Sequence, residues 1–185
     1  MDDPKFIIVM GVSGTGKSTL GAALSDVLCL PFVDGDNLHP PSNILKMSGG
    51  IPLTDEDRQP WLESIRKTAI RHITAIQEIE SKPDKENAGM IIACSALKKS
   101  YRDILRGRLE DPPRTVPTYF VFLEGGRDLL MERLQRRKGH FMKAQMLESQ
   151  LATLECPERE PGVITVPVEW STEEQVRYIT RKLAT

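Results

Sequence analysis

Nine residues near the start of the chain, Gly11-Val12-Ser13-Gly14-Thr15-Gly16-Lys17-Ser18-Thr19, have the types and spacing to hold phosphate. They fit G-x-x-x-x-G-K-S/T, in which glycines let the backbone turn tightly and aim its N–H groups at phosphate oxygens. Lys17 would reach the β- and γ-phosphates, and the Ser18 hydroxyl would ligate Mg²⁺. A glycine-rich turn without a ligand would leave the Lys-Ser pair with no packing role, so the stretch reads as a loop that binds a nucleoside triphosphate. The loop alone does not separate kinases from GTPases or motor ATPases. The strings D-x-x-G and N-K-x-D, which a switch GTPase needs, do not occur.

Mg²⁺ bound to phosphates normally needs a nearby carboxylate, directly or through water. The apolar run at 90–94 ends in Cys94-Ser95 rather than in an acid, so the carboxylate must come from elsewhere. Asp34-Gly35-Asp36 is the best candidate, at the end of a short strand where open α/β folds bind ligands. Asp34 would be the metal-side acid. Asp36, roughly 7 Å further on if extended, would accept the proton of an attacking hydroxyl. Two cationic groups add to this. Arg133, Arg136, Arg137 and Lys138 form a basic helix end suited to a lid that supplies charge to the transition state, with Arg133 and Arg137 ranked first. Arg58, Lys98, Lys99 and Arg102 begin near the same sheet edge and suit an anionic acceptor, Lys99 being the one most readily explained as ordinary surface charge. His39 and His140 are too scattered for a metal site, and each is a candidate hydrogen-bond donor to substrate.

The elements that must position these groups are legible from periodicity. Residues 6–10 read as a buried strand, followed by a helix carrying Leu20, Leu24, Val27 and Leu28 inward. A strand at 31–33 leads through a polar segment to a short helix at about 43–47. Thr54, with Asp57 three residues on, reads as the start of a long helix with Leu62, Ile65, Ala69, Ile73 and Ile76 inward. Strands follow at 90–94, 118–123 and 162–168, and helices to Leu105, at 127–137, at 143–154 and at 172–183. Segments 81–87 and 107–117 read as surface loops. Alternation throughout predicts an α/β fold, one domain over 1–185, with a five-stranded parallel sheet, helices on both faces and a mobile lid at about 133–150. The end of the last strand, 165–168, is where the adenine is expected.

Composition sets outer bounds. A length of 185 residues, 39% hydrophobic and 28% charged, is ordinary for a folded domain. A net charge of −1 gives no support to nucleic acid as a partner. Cys29, Cys94 and Cys156 lack metal-ligand spacing, and Cys29 and Cys94 sit in apolar runs expected in the core of a protein from a reducing compartment. No membrane span or signal peptide is legible, so the expectation is a cytoplasmic protein.

Taken together, the phosphate loop, Asp34-Gly35-Asp36-Asn37-Leu38-His39-Pro40, Ile51-Pro52-Leu53-Thr54-Asp55-Glu56-Asp57-Arg58-Gln59-Pro60-Trp61, Cys94-Ser95-Ala96-Leu97-Lys98-Lys99-Ser100-Tyr101-Arg102-Asp103 and Lys138-Gly139-His140-Phe141 resemble the gluconokinase family of the thermoresistant type. The resemblance runs from about Phe6 to Glu155. It implies a P-loop kinase fold related to shikimate and nucleoside monophosphate kinases, a hinged lid, and commonly a homodimer. It also implies Mg·ATP-dependent phosphorylation of D-gluconate on its 6-hydroxyl, feeding the pentose phosphate pathway. Gluconate's carboxylate would explain the second cationic group, with Arg58 first and Lys98 and Arg102 as seconds. The segment 106–117 departs from the pattern and carries no evident catalytic part. A shikimate-like kinase of the same fold, or a nucleotide sensor without turnover, remain the alternatives.

Overall fold

The architecture is that of a computed structural model, which describes residues 4–79, 88–108, 116–136 and 140–184. Five parallel strands form one sheet: β1 (Lys5–Met10), β2 (Phe32–Asp34), β3 (Gly89–Ala93), β4 (Thr118–Glu124) and β5 (Val163–Pro167), in the order β2-β3-β1-β4-β5. The register runs straight across the sheet, with Val33 beside Ile92, Ile92 beside Ile8, Ile8 beside Phe120 and Phe120 beside Val163. Among the described residues seven helices connect and flank the strands: α1 (Lys17–Leu28), α2 (Pro41–Ser48), α3 (Asp55–Ile79), α4 (Lys99–Arg106), α5 (Arg127–Gln135), α6 (His140–Thr153) and α7 (Thr172–Leu183). A short 3-10 turn, Gly35–Leu38, follows β2 where the sequence reads only as a polar segment.

β1 is continuously apolar because both of its faces are covered. Ile7 and Val9 point into a core shared with Leu20 and Leu24 of α1, Leu130 of α5, Leu147 of α6 and Ile179 of α7. Phe6, Ile8 and Met10 point the other way, into a core with Trp61, Leu62, Ile65 and Ile73 of α3 and Leu105 of α4. The expected capping pattern at the start of α3 is present. The Asp57 N–H donates to Thr54 Oγ1 at 3.3 Å, and the Thr54 N–H donates to Asp57 Oδ2 at 2.9 Å. No helix among the described residues is long and apolar enough to cross a membrane.

Two inward assignments are corrected. Val27 is 60% exposed, because α1 turns it away from the sheet while Leu24 takes the buried row. Cys29 is exposed as well: α1 ends at Leu28, and Cys29 takes the left-handed capping conformation (φ 53), its N–H donating to the Ser25 carbonyl. Cys94 is buried as expected, and burial pushes its thiol pKa up to about 12, which makes it a core residue rather than a reactive one. The loop expected at 81–87 lies outside the described residues, as does most of the one expected at 107–117.

A buried ion-pair network ties α4 to the segment before β5. Arg102 has no exposed side-chain surface and spends all of its donors internally. Nε donates to both Glu160 oxygens at 3.1 Å, Nη1 to the Ala96 and Leu97 carbonyls, and Nη2 to Glu160 and the Glu155 carbonyl. Arg106 adds a bond to the same carboxylate at 2.7 Å. Desolvation pushes the Glu160 carboxyl up, yet the bonds and charges of Arg102 and Arg106 together hold it below its ordinary value of 4.5. Removing one member of such a pair leaves the other charge buried and uncompensated, at a cost of about 3–5 kcal/mol. Glu160→Gln should therefore lower the urea midpoint by that equivalent with an unchanged m-value. Because the folded carboxyl titrates lower than the unfolded one, its stabilisation is complete above pH 4.5 and is lost as pH falls through the folded value. The variant should lose that part of the acid-side slope; an unchanged midpoint and slope would show that the network contributes nothing net.

Candidate active site

Parallel strands bring the C-terminal ends of β1, β2 and β3 to one edge, and the predicted phosphate loop, acid pair and Cys94-Ser95 all sit there. The loop joins β1 to α1 with Gly14 and Gly16 in the left-handed region (φ 83 and 95), so its shape needs glycine at both places. Thr15 Oγ1 and Lys17 Nζ each donate to the Val12 carbonyl, at 2.9 and 3.0 Å, folding the loop over itself. Ser18 Oγ donates to Asp34 Oδ2 at 2.8 Å, and the Asp36 N–H donates to Asp34 Oδ1 at 3.1 Å. The two residues proposed for the metal are thus already paired. Among the described residues no group of three or more His, Cys, Asp and Glu could hold a metal ion. Hard oxygen donors at Ser18 and Asp34 still fit Mg²⁺, which takes one or two protein oxygens and fills its sphere with phosphate and water.

Gly35 shows why the acids are separated by glycine. A Cβ there would stand 2.4 Å from the Ala93 carbonyl oxygen, so the turn after β2 can lie against β3 only without a side chain. That contact turns Asp34 toward α1 and leaves the Asp36 side chain 83% exposed. The turn is held from α3 as well, where Trp61 Nε1 donates to the Gly35 carbonyl at 2.7 Å.

His39 lies beneath Asp36 rather than open to solvent. Its ring stacks on Trp61 at 4.1 Å between centroids and 13° between planes. Asn43 Nδ2, which also donates to the Asp57 carbonyl at 2.8 Å, lies 3.3 Å from His39 Nδ1. An amide NH₂ facing Nδ1 makes that nitrogen the acceptor and leaves the proton on Nε2, which is 4.0 Å from Asp36 Oδ1. Burial lowers the His39 pKa below 6.5; Asp36 opposes the shift and Arg58 adds to it.

On the acceptor side, Arg58 and Lys98 converge on two residues that sequence reasoning did not single out, Asp55 and Tyr101. Lys98 Nζ donates to both Asp55 oxygens at 2.9 and 2.6 Å, and the Tyr101 hydroxyl donates to the same carboxylate. Arg58 is 4.0 Å from Asp55 Oδ1, with its guanidinium 5.9 Å from the Tyr101 ring centroid. The bonds from Lys98 and then Tyr101 hold the Asp55 carboxyl below its ordinary range, and Asp55 in turn raises Lys98. Arg102 does not join this group. Its guanidinium is committed to Glu160 and backbone carbonyls, so the expected acceptor contact is corrected to an internal tie. Lys99 pairs with Asp103 on the surface.

Two clefts meet at the loop. One, of about 320 Å³, lies between the loop, Asp34, Asp36, Ser95 and Gln150. The other, of about 430 Å³, runs from Gly14, Gly16 and Thr19 to Arg133, Val168 and Trp170, where the end of β5 was expected to meet the base. Arg133 Nη2 donates to the Val168 carbonyl at 2.8 Å, and Arg136 pairs with Glu132 on the surface. Arg137, Lys138 and Gly139 lie outside the described residues, as does the side chain of His140, the first residue of α6.

Comparison with known proteins agrees with this geometry. A family model described as shikimate kinase matches residues 13–183. The gluconokinase of Gluconobacter oxydans (strain 621H) is 47% identical over 166 residues, covering 90% of this chain and 84% of the relative. The chain belongs to the gluconokinase family. The thermoresistant gluconokinase of Escherichia coli (strain K12) is 41% identical, covering 92% of this chain and 89% of the relative. The crystal structure of a gluconokinase from Sinorhizobium meliloti 1021 superposes with a TM-score of 0.74 at 43% identity, covering 100% of this chain and 94% of that one. Gluconokinase membership agrees with the resemblance carried by the five sequence strings, and the phosphate loop, sheet order and flanking helices are those of a P-loop kinase.

The His39 environment generates a prediction. Between pH 6.5 and its lower folded pKa, the unfolded chain binds a proton at His39 that the native chain does not. Native stability should fall as pH drops through this window and level off below it. His39→Gln should flatten that portion of the stability–pH curve, measured by urea midpoints; an identical slope in both proteins would remove His39 as its cause.

Proposed function

We propose that this protein transfers the γ-phosphoryl group of Mg·ATP to the 6-hydroxyl of D-gluconate, giving 6-phospho-D-gluconate and ADP. The reading is carried by one observation above others: two carboxylates two residues apart have different surroundings, Asp34 bonded to Ser18 of the phosphate loop and Asp36 exposed beside it. The first suits the metal side and the second the acceptor side. The names of the relatives, gluconokinases all in the cases cited, supply the acceptor.

In this mechanism Gly11 to Thr19 bind ATP, with the loop N–H groups and Lys17 on the phosphates. Ser18 and Asp34 would hold Mg²⁺, which when bound offsets charge on the β- and γ-phosphate oxygens. The adenine lies toward Val168 and Trp170. Arg58 and Lys98 receive the gluconate carboxylate, which exchanges with Asp55 as their anionic partner, and His140 donates to a substrate hydroxyl; His39, expected to do the same, is buried against Trp61 and instead supports the turn beneath Asp36. The 6-hydroxyl oxygen attacks the γ-phosphorus in line and its proton passes to the Asp36 carboxylate. The bond from the γ-phosphorus to the bridging oxygen breaks, and ADP leaves. Lys17, with Arg133 and Arg137 of a lid at about 133–150, balances the charge that develops. The protein acts as one domain, in the cytoplasm and as a homodimer, at the entry of gluconate to the pentose phosphate pathway.

A panel of sugar acids, shikimate and nucleoside monophosphates, scored by ADP release, tests the assignment; gluconate should give acceptor-dependent ADP, and its failure to do so would sink the proposal. Asp36→Asn should lower kcat by at least about 100-fold, the scale of a lost general base, with KM for ATP little changed. Near-normal turnover would remove Asp36 from the proton transfer. Arg58→Ala should raise KM for gluconate by roughly 10- to 100-fold, the equivalent of one hydrogen bond to a charged group, and leave KM for ATP within about threefold. The reverse pattern would move Arg58 to the nucleotide.

A further inference from the structure

A short contact on the phosphate loop comes from far along the chain. Gln150 of α6 accepts a 2.6 Å hydrogen bond from the Ser13 N–H, across 137 residues of sequence. Ser13 is one of the loop residues whose amide is available to a phosphate oxygen. Gln150 therefore stands where an anion would stand, and satisfies with a neutral amide oxygen a donor that a nucleotide would otherwise take.

The two clefts fix which phosphate this is. The nucleoside-side cleft follows Gly14, Gly16 and Thr19 to Val168 and Trp170, and neither Ser13 nor Gln150 lines it. Ser13 and Gln150 line the other cleft, together with Lys17, Ser18, Asp34 and Asp36. On the reading that ATP occupies the loop, Ser13 and Gln150 thus lie at its terminal phosphate, on the side where the acceptor enters. ADP, one phosphate shorter, would not reach as far along this cleft.

We propose that Gln150 is a specificity residue for the γ-phosphate: its amide oxygen accepts from the Ser13 N–H, and the γ-phosphate of ATP takes that donor over in exchange. The chemistry follows from the two ends of a primary amide. Oε1 cannot stay where a phosphate oxygen arrives, because both are acceptors. Rotation about the last side-chain torsion, which is broad and roughly two-fold, turns Nε2 toward that oxygen instead. The Ser13 N–H passes to the phosphate, and Gln150 becomes a second donor to it. The exchange makes the position of α6 depend on the third phosphate and not on the first two. Glutamine suits this exchange because it offers acceptor and donor at the same reach without carrying charge.

The test compares a non-hydrolysable ATP analogue with ADP, both titrated calorimetrically onto the full-length protein with Mg²⁺. Gln150→Glu keeps the shape and the acceptor but removes the donor and adds a negative charge. It should weaken the analogue by at least about 30-fold and ADP by no more than about threefold. Gln150→Ala should weaken the analogue roughly tenfold, the scale of one hydrogen bond to a charged group, again with ADP nearly unchanged. An unchanged ratio of analogue to ADP affinity in both variants would overturn the proposal and leave Gln150 as a cap on the loop. A parallel loss of both ligands would overturn it equally, assigning Gln150 to the shape of the whole loop. Should the alanine variant fail to fold, the isosteric glutamate variant decides alone. ADP binding by the unaltered protein reports the nucleotide site itself, so its absence would count against the ATP reading and not against Gln150 in particular.

Discussion

A parallel sheet cannot be closed by hairpins, and this constraint governs everything else in the molecule. Each strand must be followed by a crossover, the crossovers lay helices on both faces, and strands covered on both faces must be apolar along their whole length. Phe6 to Met10 obey that rule with every side chain buried. The same constraint delivers the C-terminal ends of all the strands to one edge, where backbone donors and side chains can converge on a ligand. Gly11 after β1, Asp34 at the end of β2 and Ser95 after β3 are far apart in sequence, and the topology alone makes them neighbours.

At that edge the charges are held in balance by partners of unequal permanence. Arg102 and Lys98 are four residues apart, yet one is a structural tie and the other pairs with the half-exposed Asp55 at the sheet edge. The difference is burial: Arg102 has no exposed side-chain surface, five satisfied donors and a carboxylate that Arg106 shares. Exchanging that carboxylate for a substrate would uncover a charge in a low-dielectric setting, which is prohibitive. Lys98 and Arg58 are about one-third exposed, and their shared partner Asp55 is 54% exposed. Solvent there screens the pair, so it can be exchanged at little cost. A soluble anion can compete for such cations without dismantling the fold.

What the sequence disclosed follows the same division. The phosphate loop, the Asp34–Asp36 pair and the capping of α3 depend on residues within a few positions of one another, so spacing was enough to find them. The strands and helices were legible because burial imposes a period. Contacts whose partners are distant in sequence were not legible. Gln150 is an unremarked helix residue until α6 is laid on the loop, and Asp55 looks like an ordinary acid in a first helical turn until Tyr101, 46 residues away, donates to it. Arg102 was misread for the same reason, since nothing local to 98–103 announces Glu160. Cys29 was misread differently: an apolar neighbourhood suggested burial, whereas the end of α1 needed a left-handed cap and took the residue that came next.

The 3-10 turn after β2 joins these two kinds of information. Asp-Gly-Asp is a common turn composition, and composition alone would permit a solvated loop. What makes it a rigid part is supplied from α2 and α3: Trp61 bonds the Gly35 carbonyl and stacks on His39, and Asn43 faces His39 Nδ1 while bonding the Asp57 carbonyl at the start of α3. Lys46 of α2 closes the same circuit on the Asp57 carboxylate at 2.6 Å. Asp57 therefore caps the helix through Thr54, anchors α2 through Lys46, and orients the histidine next to Asp36 through Asn43. The role proposed for Asp36, receiving a proton from the acceptor hydroxyl, requires a carboxylate open to that acceptor, and an open side chain on a turn is ordinarily poorly held. Here the backbone under Asp36 is fixed from two helices, so the side chain can be exposed while its attachment point is not free to wander.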